Sequence, residues 1–135
     1  MIVLDASAAI EMVLQSAEGQ ALESLMRAGE KTISCELLRA EATSVFRKLV
    51  RTGNATSAEA LGYLEKTCAL VDEFVPIEEL QTEVLREGVR LDRSTYDMYY
   101  FVLARRSGAA LFTLNRKLAD LCVENGVDYV AELAL

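Results

Sequence analysis

Residues 1–14, MIVLDASAAIEMVL, place three apolar residues directly before an aspartate and a helix-like stretch. A short run that is apolar throughout is typical of a strand buried on both faces, as in a parallel sheet. Asp5 stands at the carboxyl end of this strand, where open parallel sheets bind their ligands. The stretch therefore predicts an α/β fold with a polar site at the end of its first strand.

The rest of the chain repeats the alternation of strand and helix. We predict strands over 2–5, 31–34, 74–77, 109–114 and 127–130, and helices over 6–14, 18–28, 36–51, 56–71, 78–90, 94–106 and 116–124. Strands that alternate with helices in this way form a parallel sheet covered by helices on both faces. The predicted fold is a three-layer α/β/α sandwich on a central, mostly parallel, five-stranded sheet.

Composition predicts one domain spanning 1–135. The chain has 135 residues, 52% of them hydrophobic, and a single proline, which suits one well-cored domain without a linker. We find no stretch with the pattern of a signal peptide or a membrane span. The three cysteines, Cys35, Cys68 and Cys122, lie far apart with no C-x-x-C pattern, which favours reduced thiols in a cytoplasmic protein.

The net charge and the absence of histidine exclude several kinds of catalytic and binding site. Without histidine the chain cannot build a Ser-His-Asp triad or most transition-metal sites. The remaining candidates for catalysis are carboxylates, which favour hard cations such as Mg²⁺ or Mn²⁺. The net charge of −7 argues against a binder that attracts nucleic acid through its overall field.

Three carboxylates occupy unusual positions. Asp5 follows the first strand, where the alternative to a functional role is a helix cap. Glu41 lies at helical spacing on the predicted apolar stripe of helix 36–51, and a solvated surface position is its alternative. That stripe is predicted to consist of Leu37, Leu38, Ala42, Val45 and Leu49.

Asp97 is the only charged residue in 94–104, STYDMYYFVLA, a helix that is mostly apolar all round. A buried carboxylate needs a partner, either an arginine in a salt bridge or a cation shared with Asp5 and Glu41. Three such carboxylates predict an acidic pocket for a divalent ion. That chemistry suits phosphodiester hydrolysis, in which a metal activates water and stabilises charge on the phosphate.

Three segments together resemble the PIN domain family, specifically the VapC-type ribonuclease toxins of prokaryotic toxin–antitoxin pairs. They are LDASAAI at 4–10, LLRAEATSVFRKL at 37–49 and STYDMYYFVLARRSGAALFTLNRKL at 94–118. The resemblance implies a Mg²⁺- or Mn²⁺-dependent endoribonuclease with Asp5, Glu41 and Asp97 as metal ligands and Ser7 in support. Asn115, also placed among the catalytic residues, stands where these families usually carry an acidic residue. It offers a carbonyl oxygen without a charge, which leaves one or two bound ions open.

The resemblance also implies partners: an RNA substrate, a cognate antitoxin and a second copy in a homodimer. The basic residues that could contact RNA are Arg39, Arg47, Lys48 and Arg51 near Glu41, and Arg93 and Arg116 near the other site residues. Solubilising surface charge is the alternative for each.

Other functions are open. One is a catalytically weak PIN-like module that binds a partner or nucleic acid, and another is a housekeeping RNA-processing nuclease. A flavodoxin-like signalling or nucleotide-binding domain is disfavoured because no glycine-rich phosphate loop follows the first strand.

Overall fold

A five-stranded sheet forms the centre of the computed structural model, which describes residues 1–131. The strands are β1 (Ile2–Leu4), β2 (Thr32–Cys35), β3 (Glu73–Val75), β4 (Ala110–Phe112) and β5 (Tyr129–Val130). They lie in the order β3-β2-β1-β4-β5, and each neighbouring pair is parallel. The predicted α/β fold is confirmed, with a sheet that is parallel throughout rather than mostly so.

Seven helices are described around this sheet. They are α1 (Ala6–Leu14), α2 (Ala17–Ser24), α3 (Leu37–Arg51), α4 (Ser57–Ala69), α5 (Ile77–Leu91), α6 (Thr95–Ser107) and α7 (Arg116–Asn125). Among the helices of residues 1–131, none is long and apolar enough to cross a bilayer. The prediction of a single domain over 1–135 extends to four residues that lie outside the described part.

The strand order creates a crevice beside β1. The chain moves from β1 to β2 and β3 on one side, then returns to place β4 against the other side of β1. At such a switch in direction the connections leave the sheet on opposite faces, and an opening remains at the carboxyl ends of the two strands. Here those two strands end just before Asp5 and Thr113.

Helix α6 is largely apolar and packs against β1, β2 and β4. Met98, Phe101 and Val102 on this helix are fully buried, as is every residue of β1. Burying one such side chain contributes roughly 1.5–3 kcal/mol to stability. The contacts fix α6 against the sheet and so fix the position of Asp97 in its first turn.

Two local predictions need correction. Helix α2 ends at Ser24 rather than at residue 28, so Arg27 lies beyond its last turn. Helix α2 begins where Ser16 accepts a hydrogen bond from the Gly19 N–H and turns back on α1. Gly19 lies so close to α1 that a Cβ there would stand 2.0 Å from the Glu11 carbonyl oxygen. The close packing of Gly19 on α1 accompanies the start of α2.

The apolar stripe of α3 is also shifted from the prediction. Its buried residues are Leu38, Ala42 and Phe46, and the predicted core residue Val45 is 38% exposed. Phe46 is buried because α4 packs on this side of α3, where the Tyr63 ring lies 5.7 Å from the Phe46 ring. Glu41 therefore lies at the edge of the buried stripe, and its side chain is half-buried.

Candidate active site

Asp5 is held at the end of β1 by three donors. Its Oδ1 accepts hydrogen bonds from the Ala8 N–H at 2.9 Å and the Ser7 hydroxyl at 2.7 Å. Its Oδ2 accepts a hydrogen bond from the Thr113 hydroxyl. Asp5 thus caps α1, as the structural alternative predicted, and also reaches across the crevice to the end of β4. Its side chain is only 3% exposed, and this burial raises the pKa of Asp5 to about 6 despite the three hydrogen bonds.

Ser7 and Thr113 brace this carboxyl group. The Ser7 Oγ also accepts a hydrogen bond from the Leu114 N–H at 2.9 Å, which ties the start of α1 to the chain after β4. Thr113 is fully buried, and its Oγ accepts the Asn115 N–H at 2.9 Å. Thr113 lies in the quoted segment 94–118, but sequence reasoning gave it no role. The available signal was a polar residue at the end of the apolar run AALFT.

Glu41 is positioned by a tyrosine on α6. The Tyr100 hydroxyl donates a hydrogen bond to Glu41 Oε1 at 2.5 Å. Burial raises the pKa of Glu41, and the negative charge of Asp97 raises it further, against the hydrogen bond from Tyr100. Tyr100, itself buried, belongs to the same quoted segment and was likewise given no role. It follows Asp97 by three positions on α6, so both side chains lie on the same face of the helix.

Asp97 is positioned by Asn115. The Asn115 Nδ2 donates to Asp97 Oδ1 at 3.1 Å, and the Asn115 Oδ1 accepts the Lys117 N–H at 3.0 Å. This pair of bonds fixes the amide orientation, since a flipped amide would set oxygen against carboxylate and NH₂ against N–H. The predicted free carbonyl oxygen of Asn115 is therefore already an acceptor, as the cap of α7.

Asp97 has no salt-bridge partner in the part of the chain that the structure describes, so the predicted alternative of a buried arginine pair is wrong there. Burial raises the pKa of Asp97, and the positive charges of Lys117 and Arg93 oppose the shift. Asp97 is half-buried rather than fully enclosed. The Asn115 amide donates a hydrogen bond to it, and the charges of Lys117 and Arg93 act on it without forming an ion pair.

The three carboxyl groups act on one another through their charges. Glu41 raises the pKa of Asp5, and Asp97 raises that of Glu41. Within residues 1–131, no three acidic, thiol or imidazole side chains gather closely enough to hold a metal ion as they stand. The donor set is nevertheless all oxygen, and its carboxylates have no cationic ion-pair partner in this region, which suits a hard divalent ion such as Mg²⁺ or Mn²⁺.

The model of the PIN domain family matches residues 2–124 of this chain. The chain belongs to the PIN domain family. PIN domains are nucleases and generally use divalent metals, so the chain is a member of a family of phosphodiester hydrolases. The resemblance predicted from the three sequence segments is confirmed at this level.

Solved structures show the same fold. The crystal structure of PAE2754 from Pyrobaculum aerophilum superposes with a TM-score of 0.69 at 26% identity, covering 88% of this PIN domain chain and 84% of that chain. The structure of Mycobacterium tuberculosis VapC20, a sarcin-ricin loop cleaving toxin, superposes with a TM-score of 0.68 at 15% identity, covering 90% and 95%. Nothing among the curated proteins matches.

The predicted RNA-contact residues occupy different settings in this PIN domain. Arg39 pairs with Glu36 at 2.8 Å, and its guanidinium carbon lies 3.9 Å from the centre of the Phe74 ring. Arg93 pairs with Glu124 at 3.0 Å. Arg116 is exposed at the start of α7. The other three are on α3, where Arg47 and Arg51 line an apolar groove of about 440 Å³ against α4 and Lys48 is exposed.

Proposed function

We propose that this PIN domain is a Mg²⁺- or Mn²⁺-dependent endoribonuclease and the toxin of a VapC-type toxin–antitoxin pair. The observation that supports this best is the set Asp5, Glu41 and Asp97, which are buried or half-buried without an arginine or lysine partner in the described residues. Carboxylates kept in this state repel one another and favour a bound cation. In a nuclease family, that cation supplies charge for the hydrolysis of phosphodiester bonds.

In this proposal each carboxylate has its own positioning group. Ser7 and Thr113 hold Asp5, Tyr100 holds Glu41, and Asn115 holds Asp97. A divalent ion held by these three would activate water and stabilise charge on the phosphate when bound. Because its ligands must be deprotonated, raised carboxyl pKa values imply that ion binding releases protons and weakens in acid.

Asn115 acts as a positioning residue in this proposal. Its carbonyl oxygen accepts the Lys117 N–H and its amide donates to Asp97, so both ends of the group already have partners. An aspartate at this position would add a fourth negative charge beside Asp97. We therefore propose a site organised by three carboxylates around one ion.

The proposed partners are RNA, a cognate antitoxin and a second copy of the chain, in the cytoplasm. The sequence segments of VapC type support this set, and VapC20, which shares the fold, is described as a toxin that cleaves the sarcin-ricin loop. A chain of net charge −7 would attract a basic antitoxin segment. The free thiols Cys35, Cys68 and Cys122 suit a reducing compartment.

The test is cleavage of a mixed tRNA and rRNA pool with Mn²⁺, with Mg²⁺ and with EDTA, comparing the unchanged protein with Asp97→Asn. We expect metal-dependent cleavage that falls by at least about a hundredfold in the variant, because the carboxylate acts on the ion that stabilises the transition state. Asp120→Asn, the same change at an exposed position of α7, is the matched control and should cleave normally.

Absence of cleavage in folded, antitoxin-free protein would refute the nuclease. It would favour the second candidate, a binding module of weak activity, for which the uncharged Asn115 is the specific observation. If the protein does cleave, toxin and housekeeping nuclease are separated by the RNA that is cut and by whether a basic protein co-purifies and blocks cleavage.

A further inference from the structure

A cleft of about 350 Å³ lies beside Asp97, between the turn from α5 to α6 and the start of α7. Its lining includes the Asp97 carboxyl group together with two cations, Arg93 and Lys117, and the hydroxyl residue Ser94. The exposed Asp92 completes its polar rim. The cleft is thus the place where positive side chains meet the candidate active site.

Lys117 is a cation that lines the cleft beside Asp97 and, in the described part of the chain, is free to bind an anion. In residues 1–131 its Nζ forms no ion pair, while its backbone N–H is bound by Asn115, the residue that also holds Asp97. The side chain therefore starts from a fixed point next to the carboxylate. The positive charge of Lys117 is also felt at Asp97, where it opposes the burial that raises the carboxyl pKa.

The other basic candidates are placed less well. Arg39 is occupied by Glu36 and Phe74, and Arg116, one residue before Lys117, does not line the cleft. Arg93 lines it but pairs with Glu124, whose side chain is 57% exposed. Such a solvent-exposed pair contributes little and can exchange its partner, so Arg93 is a second contact rather than the first.

We propose that this cleft seats a phosphate group of the RNA backbone next to the cleaved bond, with Lys117 as the principal contact and Arg93 as the second. The proposal rests on the ribonuclease function proposed above and assigns Lys117 as a positioning residue. A lysine binds phosphate as a mobile point charge, which suits a contact that must accept any base sequence. This placement explains how an acidic protein can hold RNA, because two of its cations lie where the strand must be cut.

The experiment measures binding instead of cleavage. A fluorescein-labelled oligouridylate of about 12 nucleotides is titrated with the Asp97→Asn protein in EDTA, at several salt concentrations, by fluorescence anisotropy. This background removes the carboxylate charge and the proposed cleavage together. It is compared with the same protein carrying Lys117→Met, Lys117→Arg, Arg93→Met or Lys66→Met. Methionine keeps most of the length of lysine and removes its charge, and Lys66 is an exposed lysine on α4.

We expect Lys117→Met to weaken binding about three- to tenfold at about 0.1 M salt and to reduce the slope of log K against log salt by about 0.7, the value for one phosphate contact on a single strand. Arg93→Met should have a smaller effect, Lys117→Arg should bind almost as the parent does, and Lys66→Met should bind as the parent does.

Equal binding by the Lys117→Met and Lys66→Met proteins, or no measurable binding by the parent, would overturn the inference. Cleavage of the RNA pool by the unchanged protein is scored separately. If that protein cleaves while Lys117→Met changes neither affinity nor slope, the phosphate cleft is wrong and the nuclease remains.

Discussion

The carboxylates at the two ends of α6 differ in their partners, which are neutral at the start of the helix and cationic at its end. At its start, Asp97 and Glu41 meet a neutral amide and a tyrosine hydroxyl. At its end, Arg105 binds Glu83 at 2.9 Å and Glu87 at 3.1 Å, and Arg106 binds Glu83 at 2.9 Å. We call the second group the α5–α6 ion network, defined by Glu83, Glu87, Arg90, Arg105 and Arg106.

The pKa values follow the partners. The hydrogen bond from Arg90 lowers the pKa of Glu87 to about 2, and Arg105 adds to this. Glu83 is partly buried, which raises its pKa, yet Arg105 and Arg106 bring it below its ordinary value. Burial raises the pKa of Asp97 and Glu41, and no arginine binds either group in the described chain. The carboxylates with arginine partners join two helices, whereas those without them are the ones that we propose bind a cation from solution.

The largest difference between the two regions should be their response to metal. Adding Mn²⁺ at a hundred times its dissociation constant should raise the free energy of unfolding by about 2.7 kcal/mol, because the ion binds only the folded site. The measurement is thermal unfolding with Mn²⁺ and with EDTA. Asp97→Asn should remove most of this stabilisation.

Glu83→Gln is the matched control. It removes a carboxylate from the α5–α6 ion network and should lower stability with and without metal by the same amount. A Mn²⁺ effect that disappears in this variant would place the ion at the wrong end of α6.

The next effect concerns pH in the absence of metal. Asp5 has a folded pKa of about 6, above its ordinary 3.8, so the folded protein binds a proton that the unfolded chain releases between these values. The contribution of Asp5 to stability therefore falls as pH rises from about 4 to 6, by on the order of 1–3 kcal/mol at most. Glu87, with its lowered pKa, contributes in the opposite sense, and its contribution is lost below about pH 4.5.

Urea unfolding in EDTA at about pH 4.5 and pH 7 tests this difference. We expect Asp5→Asn to be more stable relative to the unchanged protein at pH 7 than at pH 4.5. At pH 7 the buried Asp5 carboxyl group is mostly ionised, which destabilises the fold, and the asparagine carries no charge. The same difference at both values would show that the Asp5 carboxyl titrates normally.

The smallest effect should come from the α5–α6 ion network. Arg105→Met removes one partner from both Glu83 and Glu87 while keeping an apolar stem over Phe101, whose ring centre lies 5.1 Å from the guanidinium carbon. The side chain is partly exposed, so we expect a loss of about 1 kcal/mol that shrinks at high salt. Cleavage per folded molecule should stay unchanged. A loss of cleavage that matches the Asp97→Asn variant would show that the two ends of α6 are coupled.

Sequence reasoning identified those candidate site residues that differ in character from their immediate neighbours in the chain. Asp5 after an apolar strand and Asp97 in an apolar helix stand out because each breaks a local pattern. Thr113 and Tyr100 do not, since a threonine ending a strand and a tyrosine in a buried helix are common. Their roles depend on which elements the fold brings together.

The error on α3 has the same cause. Val45 and Phe46 are adjacent on α3, and packing against α4 decides which of them is buried. Arg116 and Lys117 are adjacent on α7, about 100° apart around the helix axis, and only Lys117 lines the cleft beside Asp97. A shift of one residue along the helix changes which side chain lines the cleft, and local periodicity does not resolve such a shift.

The bond between Thr113 and Asp5 joins residues 108 positions apart. A growing chain has β1, α1 and two of the candidate site carboxylates, Asp5 and Glu41, long before β4 exists to lie beside them. During translation the candidate site is therefore incomplete until β4 and Thr113 have been made. For a proposed ribonuclease synthesised on RNA-rich ribosomes, this late closure would keep each nascent molecule harmless to the machinery that is producing it.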